Sequence, residues 1–272
     1  MLLFKLAEFQ NQFPLVEKKK SGKNWLRILI FATTLLCFCL IPPNVYTSWW
    51  GIYPILTFYF LPQVTSFLNH MFLDNVLEVF CLHFRDINRR LKQEVSRVSV
   101  ALTLSQTVKF KQLEELSFLH YNLVHLVLAI NNLFDVTTLA SMVLWFGNII
   151  SALYSLIESF LKDNFLPLQI RFYLFCNVIN YLLWLFIVVR MYSRTQREAN
   201  ETSGYIHQIW NQHFQKKNLS EKTRHLQLIS CRLLNTKLIF NARGFFRLDE
   251  TFFHIMIVAV MTYLVILIQF RI

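Results

Sequence analysis

The chain is written in long apolar blocks separated by basic ones. Between Arg27 and Asp74 no charged residue occurs. That run is too long for one membrane crossing of about 20 residues. Pro42-Pro43-Asn44 interrupts it, and proline ends a helix. The pattern therefore predicts two crossings, at 25–43 and 49–69. Tyr46, Trp49, Trp50 and Tyr53 gather beside the turn, as aromatic rings do at a membrane–water boundary.

From His83 the chain reads HFRDINRRLKQEVSRV. Leu82, Ile87, Leu91 and Val95 recur at helical spacing, so the second crossing is expected to continue as a helix into water. A third apolar segment covers 119–157 and is broken only by Asp135. As one helix it would be roughly 55–60 Å long, far beyond a hydrocarbon core of about 30 Å. Its first half, with His120, His125 and Asp135, is expected to stand in water and its second half to cross. The fourth crossing falls at 172–190 and a long polar stretch, 191–248, follows. The fifth crossing is 251–270. The expected fold is an all-α, polytopic membrane helical bundle of about five transmembrane helices with cytosolic helix extensions. It divides into an N-terminal segment 1–24, a four-crossing bundle 25–190 with a helical loop 83–118, an anchor region 191–248 and a final helix 249–272.

Composition strengthens this reading. Of 272 residues, 55% are hydrophobic and 16% charged, and phenylalanine alone occurs 27 times. Mean hydropathy is +0.40. Soluble domains carry about 25% charged residues. The first 16 residues lack an uninterrupted apolar core, so no cleavable signal peptide is expected there, and they suit a short interfacial helix.

A net charge of +11 would suit nucleic acid if the basic residues formed one surface. They do not. Six lie before or at the start of the first crossing, seven follow the second and eleven lie at or after the end of the fourth, together 24 of the chain's 27. Only Lys162, Arg171 and Arg271 fall on the other side. By the positive-inside rule this puts the N-terminus and both long loops in the cytosol and the C-terminus outside. No nucleic-acid partner is needed to explain the charge. Two glycosylation sequons, Asn200-Glu201-Thr202 and Asn218-Leu219-Ser220, lie in the cytosolic part and are expected to stay unmodified.

Candidate chemistry is sparse. The five cysteines form no CxxC pair, so neither zinc nor a disulfide framework is expected. His120, His125 and Asp135 do not share a helix face. Asp74 and Glu78 do, and could pair with Arg85 or the basic loop. The sequence has no nucleophile elbow, phosphate loop or HExxH motif, so no enzyme, metal or cofactor is implied.

The last helix is different. Ile255, Ala259, Thr262, Ile266 and Gln269 follow 4-3-4-3 spacing and share one face. An amide in lipid needs a partner or water. Two readings remain open: Thr262 and Gln269 bond between helices, or the face lines a wet pore.

TYLVILIQF, with Thr262-Tyr263 and Gln269-Phe270 flanking five apolar residues, resembles the terminal signature of the insect gustatory receptors. Gly244-Phe245-Phe246-x-Leu248-Asp249, HFRDINRRL and LHYNLVHLVLAIN are similar to other stretches of that family. The wording between the last anchors is closest to the fructose-receptor and gustatory receptor 28 branches. The resemblance aligns with the last five of the family's seven crossings. It implies either a short form or an incomplete gene model, and, as the alternative to a working receptor, a non-conducting subunit that only co-assembles with full-length relatives.

The resemblance implies a plasma-membrane, ligand-gated, non-selective cation channel, assembled as a homo- or hetero-tetramer and opened by a small external tastant. Gln269 and Phe270 would stand at the constriction, with Thr262, Tyr263 and Ile266 packed around it. The family's pocket lies in the outer half of the helices before the last. By the topology above, that half holds Trp50, Tyr53, Tyr59 and Gln63, then Trp145, Asn148, Tyr154 and Glu158, then Tyr173, Asn177 and Asn180. Aromatic walls with a few amides suit a sugar or a planar alkaloid equally. Glu158 and Asp163 could also draw cations toward a pore.

Overall fold

The computed structural model describes residues 61–100, 106–161, 167–214 and 221–270. The predicted crossing 25–43, the start of 49–69 and the N-terminal interfacial helix lie outside them. Three long helices dominate: α1 (Leu61–Val100), α2 (Gln106–Leu161) and α3 (Leu168–Phe214). A shorter α4 (Glu221–Asn235), a hairpin of β1 (Asn241–Ala242) and β2 (Phe246–Arg247), and α5 (Glu250–Gln269) complete the described chain. Among the described residues, three helices are long and apolar enough to cross a membrane: Gln112–Phe160, Leu168–Asn211 and Glu250–Gln269. The fold is an all-α membrane helical bundle.

One spacing rule explains why the long helices do not break. On α3 the buried residues Tyr181, Leu185, Val188, Tyr192, Thr195, Ala199, Thr202, Ile206 and Ile209 alternate steps of four and three. On α1 His70, Leu73, Leu77, Phe80, Phe84, Ile87 and Leu91 do the same. On α2 the series runs Leu113, Ser117, His120, Val124, Val127, Asn131 and, after one heptad, Thr138, Met142, Trp145, Ile149 and Ala152. A 3.5-residue repeat keeps one seam facing a neighbouring helix over any length. The helix expected beyond the second crossing is present, as α1. Its seam differs from the predicted stripe: Ile87 and Leu91 are buried, whereas Leu82 and Val95 are only half-buried.

The described chain falls into two compact units. The first comprises 75–134 and 191–241, the second 61–74, 135–190 and 242–270. The first unit is stitched by polar contacts on its seams. Arg85 reaches Glu198 through Nε at 3.1 Å and Nη2 at 2.5 Å. Asn88 Nδ2 donates to the Glu198 carbonyl at 2.7 Å, and its Oδ1 accepts from the Thr202 hydroxyl at 2.7 Å. His120 Nε2 donates to the Ala199 carbonyl at 2.9 Å. Asn88 and Thr202 thus bury their polar groups paired, whereas the Nδ1 of His120 is buried without a hydrogen-bond partner. Arg232 of α4 lies 4.2 Å from the Tyr121 ring centroid, over its face.

The second unit is largely apolar. Phe67 meets Trp184 edge-on at 4.9 Å, and Leu185, Val188 and Ile149 are buried. Phe118 and Leu133 aside, the large exposed apolar side chains of α2, α3 and α5 belong to this unit, among them Val143, Leu144, Phe160, Phe172 and Phe175. A surface of that kind is at home in hydrocarbon rather than water.

Candidate functional site

The path into α5 is built residue by residue from the Gly244-to-Asp249 stretch. The hairpin turn closes with the Phe245 amide on the Ala242 carbonyl at 3.0 Å. Its central residues, Arg243 and Gly244, take φ of 52° and 80°. Two successive positive φ values define a type I′ turn, which glycine at the second position makes easy. Arg243 also reaches Asp135 at 3.7 Å. Phe246 then stacks on Phe252, with ring centroids 4.2 Å apart and planes 12° off parallel. Leu248 is buried, and Asp249 caps α5: its Oδ1 accepts from the Phe252 amide at 3.1 Å. Glu250 in the first turn adds negative charge where the helix dipole favours it.

α5 itself is nearly bare. Its buried residues are Phe252, Val260 and Leu264. At 100° per residue, Val260 sits about 180° and Leu264 about 140° around the helix from Gln269. The predicted face is thus opposite the buried one. Ile255, Thr262, Ile266, Gln269 and Phe270 are exposed and Ala259 is half-buried. Tyr263, also exposed, meets the edge of Phe146 at 5.8 Å. The Thr262 hydroxyl donates to the Val258 carbonyl at 2.9 Å, so its donor is satisfied within its own helix. The amide of Gln269 is presented outward from the last turn.

The predicted ligand residues differ in burial. Trp50, Tyr53 and Tyr59 lie outside the described residues. Gln63 donates from Nε2 to the Tyr181 hydroxyl. Trp145 is buried against the His70 ring at 4.9 Å, and Asn177 and Asn180 are buried. Asn148, Tyr154, Glu158 and Tyr173 are half-buried. Sequence reasoning missed the groups that join them. His70 Nδ1 donates to the Ser66 carbonyl at 2.7 Å, and Ser66 shares a hydrogen bond with Ser141 at 2.8 Å. The signal was present in the seam spacing, which aims His70, Ser141-adjacent Met142, Trp145 and Tyr181 inward.

A cavity of about 360 Å³ lies in the first unit, lined by Arg90, Gln93, Glu94, Gln112, Leu113, Glu115, Leu116 and Leu119. It contains none of the predicted ligand residues. His83, buried in this unit, titrates below its ordinary range because burial disfavours the imidazolium, partly offset by the nearby Asp86 carboxylate. Among the described residues, no group of three His, Cys, Asp or Glu side chains could hold a metal ion.

Residues 2–272 match the 7tm chemosensory receptor family. Over 109 residues the chain is 29% identical to a Drosophila melanogaster protein that bears the name gustatory receptor 28b. That stretch covers 40% of this chain and 22% of the relative.

Proposed function

The chain belongs to the 7tm chemosensory receptor family, and on that premise we propose that it is a gustatory receptor subunit forming a ligand-gated, non-selective cation channel. A small external tastant binds the outer half of the bundle. Four copies, or copies mixed with related subunits, gather their α5 helices around one water path in the plasma membrane. The N-terminus stands in the cytosol and the C-terminus outside, as the asymmetry of basic residues supports.

One observation carries this reading: the face of α5 holding Thr262, Ile266 and Gln269 is exposed and lies opposite the side packed on its own chain. A single copy leaves an amide on a lipid-length helix uncovered. Water in a shared path, or the same face of another copy, satisfies it. Opening is then a population shift, because tastant binds the open arrangement better.

The test is whole-cell recording from cells expressing the full chain, challenged with a panel of sugars and planar alkaloids. Evoked current altered by Gln269→Ala, and unaltered by Leu264→Val on the packed side, supports the proposal. Surface tetramers that pass no current, or a C-terminal tag reached only from the cytosol, refute it.

A further inference from the structure

Asp135 is the single acidic residue in the apolar stretch 119–157 of α2. A carboxylate is costly to enclose unless it is paired. This one is largely enclosed, with 12% of its side chain exposed. Its Oδ1 accepts from the Val136 amide at 2.6 Å and lies 3.7 Å from Nη1 of Arg243. Among the described residues no other cation pairs with it.

Arg243 is an unexpected residue for its own position. As the first central residue of the turn it holds φ of 52°. Asparagine, aspartate or glycine is favoured there, because a longer side chain crowds the backbone in the left-handed region. Packing does not compensate, since 60% of the Arg243 side chain is exposed. What the arginine adds is charge, and its guanidinium meets the enclosed carboxylate.

The contact and its consequence lie in one compact unit. Asp135, Arg243 and all of α5 belong to the second. Ring contacts carry the turn into the helix. Phe246 stacks on Phe252 at 4.2 Å, and Phe253, next along, meets Phe186 of α3 edge-on at 5.7 Å. A turn released from α2 therefore frees the first turn of α5 to move against α3.

We propose that the Asp135–Arg243 ion pair is a latch that ties the turn before α5 to α2, with Arg243 as the positioning residue. This deepens the channel reading and rests on it only for the consequence on current. The latch answers to ionic strength, because the arginine end faces solvent and is screened there.

The experiment uses the full chain in lipid nanodiscs, with its native cysteines replaced by serine. A short bifunctional thiol reagent on the pair Phe186→Cys, Phe253→Cys reads where the first turn of α5 stands. Hydrogen exchange at the Phe245 amide, which closes the turn on Ala242, reads the turn itself. Arg243→Asn suits the turn at least as well as arginine and deletes the charge. It is expected to leave exchange at Phe245 no faster, yet to change the cross-linking rate by about fivefold or more. Asp135→Asn gives the same change. Arg243→Lys keeps the charge and the unmutated rate, and the exchanged pair Asp135→Arg with Arg243→Asp restores it even if Arg243→Asn fails to reach the membrane. High salt moves the unmutated chain toward Arg243→Asn and leaves that variant where it is. An unchanged cross-linking rate in Arg243→Asn overturns the proposal. So does an equal change in Arg243→Lys, or a change that comes only with faster exchange at Phe245, which traces to the turn backbone. A chain that passes no current yet shows the charge-dependent change sinks the channel reading and leaves the latch standing.

Discussion

Two glycines that accept the same added methyl group should respond with opposite signs. A Cβ built on Gly204 in α3 meets nothing within 4 Å, and neither does one on Gly244 in the hairpin turn. Packing therefore contributes nothing to either change, and only the backbone decides. Gly204 is helical and exposed. Alanine there removes unfolded-state freedom and stabilises by about 0.5–1 kcal/mol. Gly244 has φ of +80°, where an L side chain crowds the following carbonyl. Alanine there costs about 1–2 kcal/mol. The two variants should thus differ by about 2 kcal/mol, the difference between those two figures. In a chain of roughly this size each kcal/mol moves the unfolding midpoint by about 2–4 °C. Intrinsic-fluorescence melts of the purified chain in one detergent, run side by side, give the comparison. Gly204→Ala should melt higher than the unmutated chain and Gly244→Ala lower. If both rise together, the positive-φ turn before α5 is wrong, and with it the geometry assigned to the Gly-Phe-Phe stretch.

Three more outcomes follow from named contacts. Asp249→Ala removes the cap of α5 and should cost about 1 kcal/mol, raising exchange at the Phe252 amide roughly fivefold by that same free energy, while Asp249→Asn keeps the acceptor and most of the protection. His83, buried with its titration lowered, makes the fold less stable as pH drops through about 6.5, the unfolded value, toward the lower folded value, with no effect above that range. His83→Gln should flatten that part of a melting-temperature profile measured from pH 7.5 to 5, and an unchanged slope would assign it to other groups. Glycosidase treatment should leave the mobility of the expressed chain unchanged, because Asn200 Nδ2 is bonded to Leu238 and Thr202 is fully enclosed; a mass shift cured by Asn200→Gln would reverse the topology.

Much of the architecture can be read from hydropathy alone. The second crossing does run on as a helix, the third apolar segment does lie on a helix far too long for a bilayer, and the last apolar run does form a helix of its own. What hydropathy hid is how α3 continues past Arg190. The stretch 191–248 reads as polar, but its seam residues Tyr192, Thr195, Ala199, Thr202 and Ile206 keep the 4-3 spacing begun by Tyr181 and Leu185. Two of the five are threonines. Thr195 bonds the Met191 carbonyl and Thr202 bonds Asn88, so each is satisfied by something a window average cannot register. The ligand candidates follow a different rule from the seam. They were chosen by side-chain chemistry and depth, whereas burial follows the seam. Trp145 lies on it, Asn177 and Asn180 flank it, and Ser66, His70 and Tyr181, which make the polar contacts there, were passed over.

Thr262 shows that a polar residue on α5 can be silent: it bonds back four residues and asks nothing of its surroundings. A glutamine has two donors and an acceptor on a longer stem and cannot be satisfied that way. In hydrocarbon an unpaired amide costs several kcal/mol, more than the contacts of three buried side chains on one helix comfortably offset. Had the chain used Gln269 to bind its own bundle, the residue would lie on the Val260–Leu264 side. It lies opposite, in line with Ile266, Thr262 and Ile255, all exposed. Among the described residues, then, nothing encloses it. Hydrocarbon offers the amide no hydrogen bond, whereas water or another copy of α5 does, and that is the arrangement of the channel proposed above.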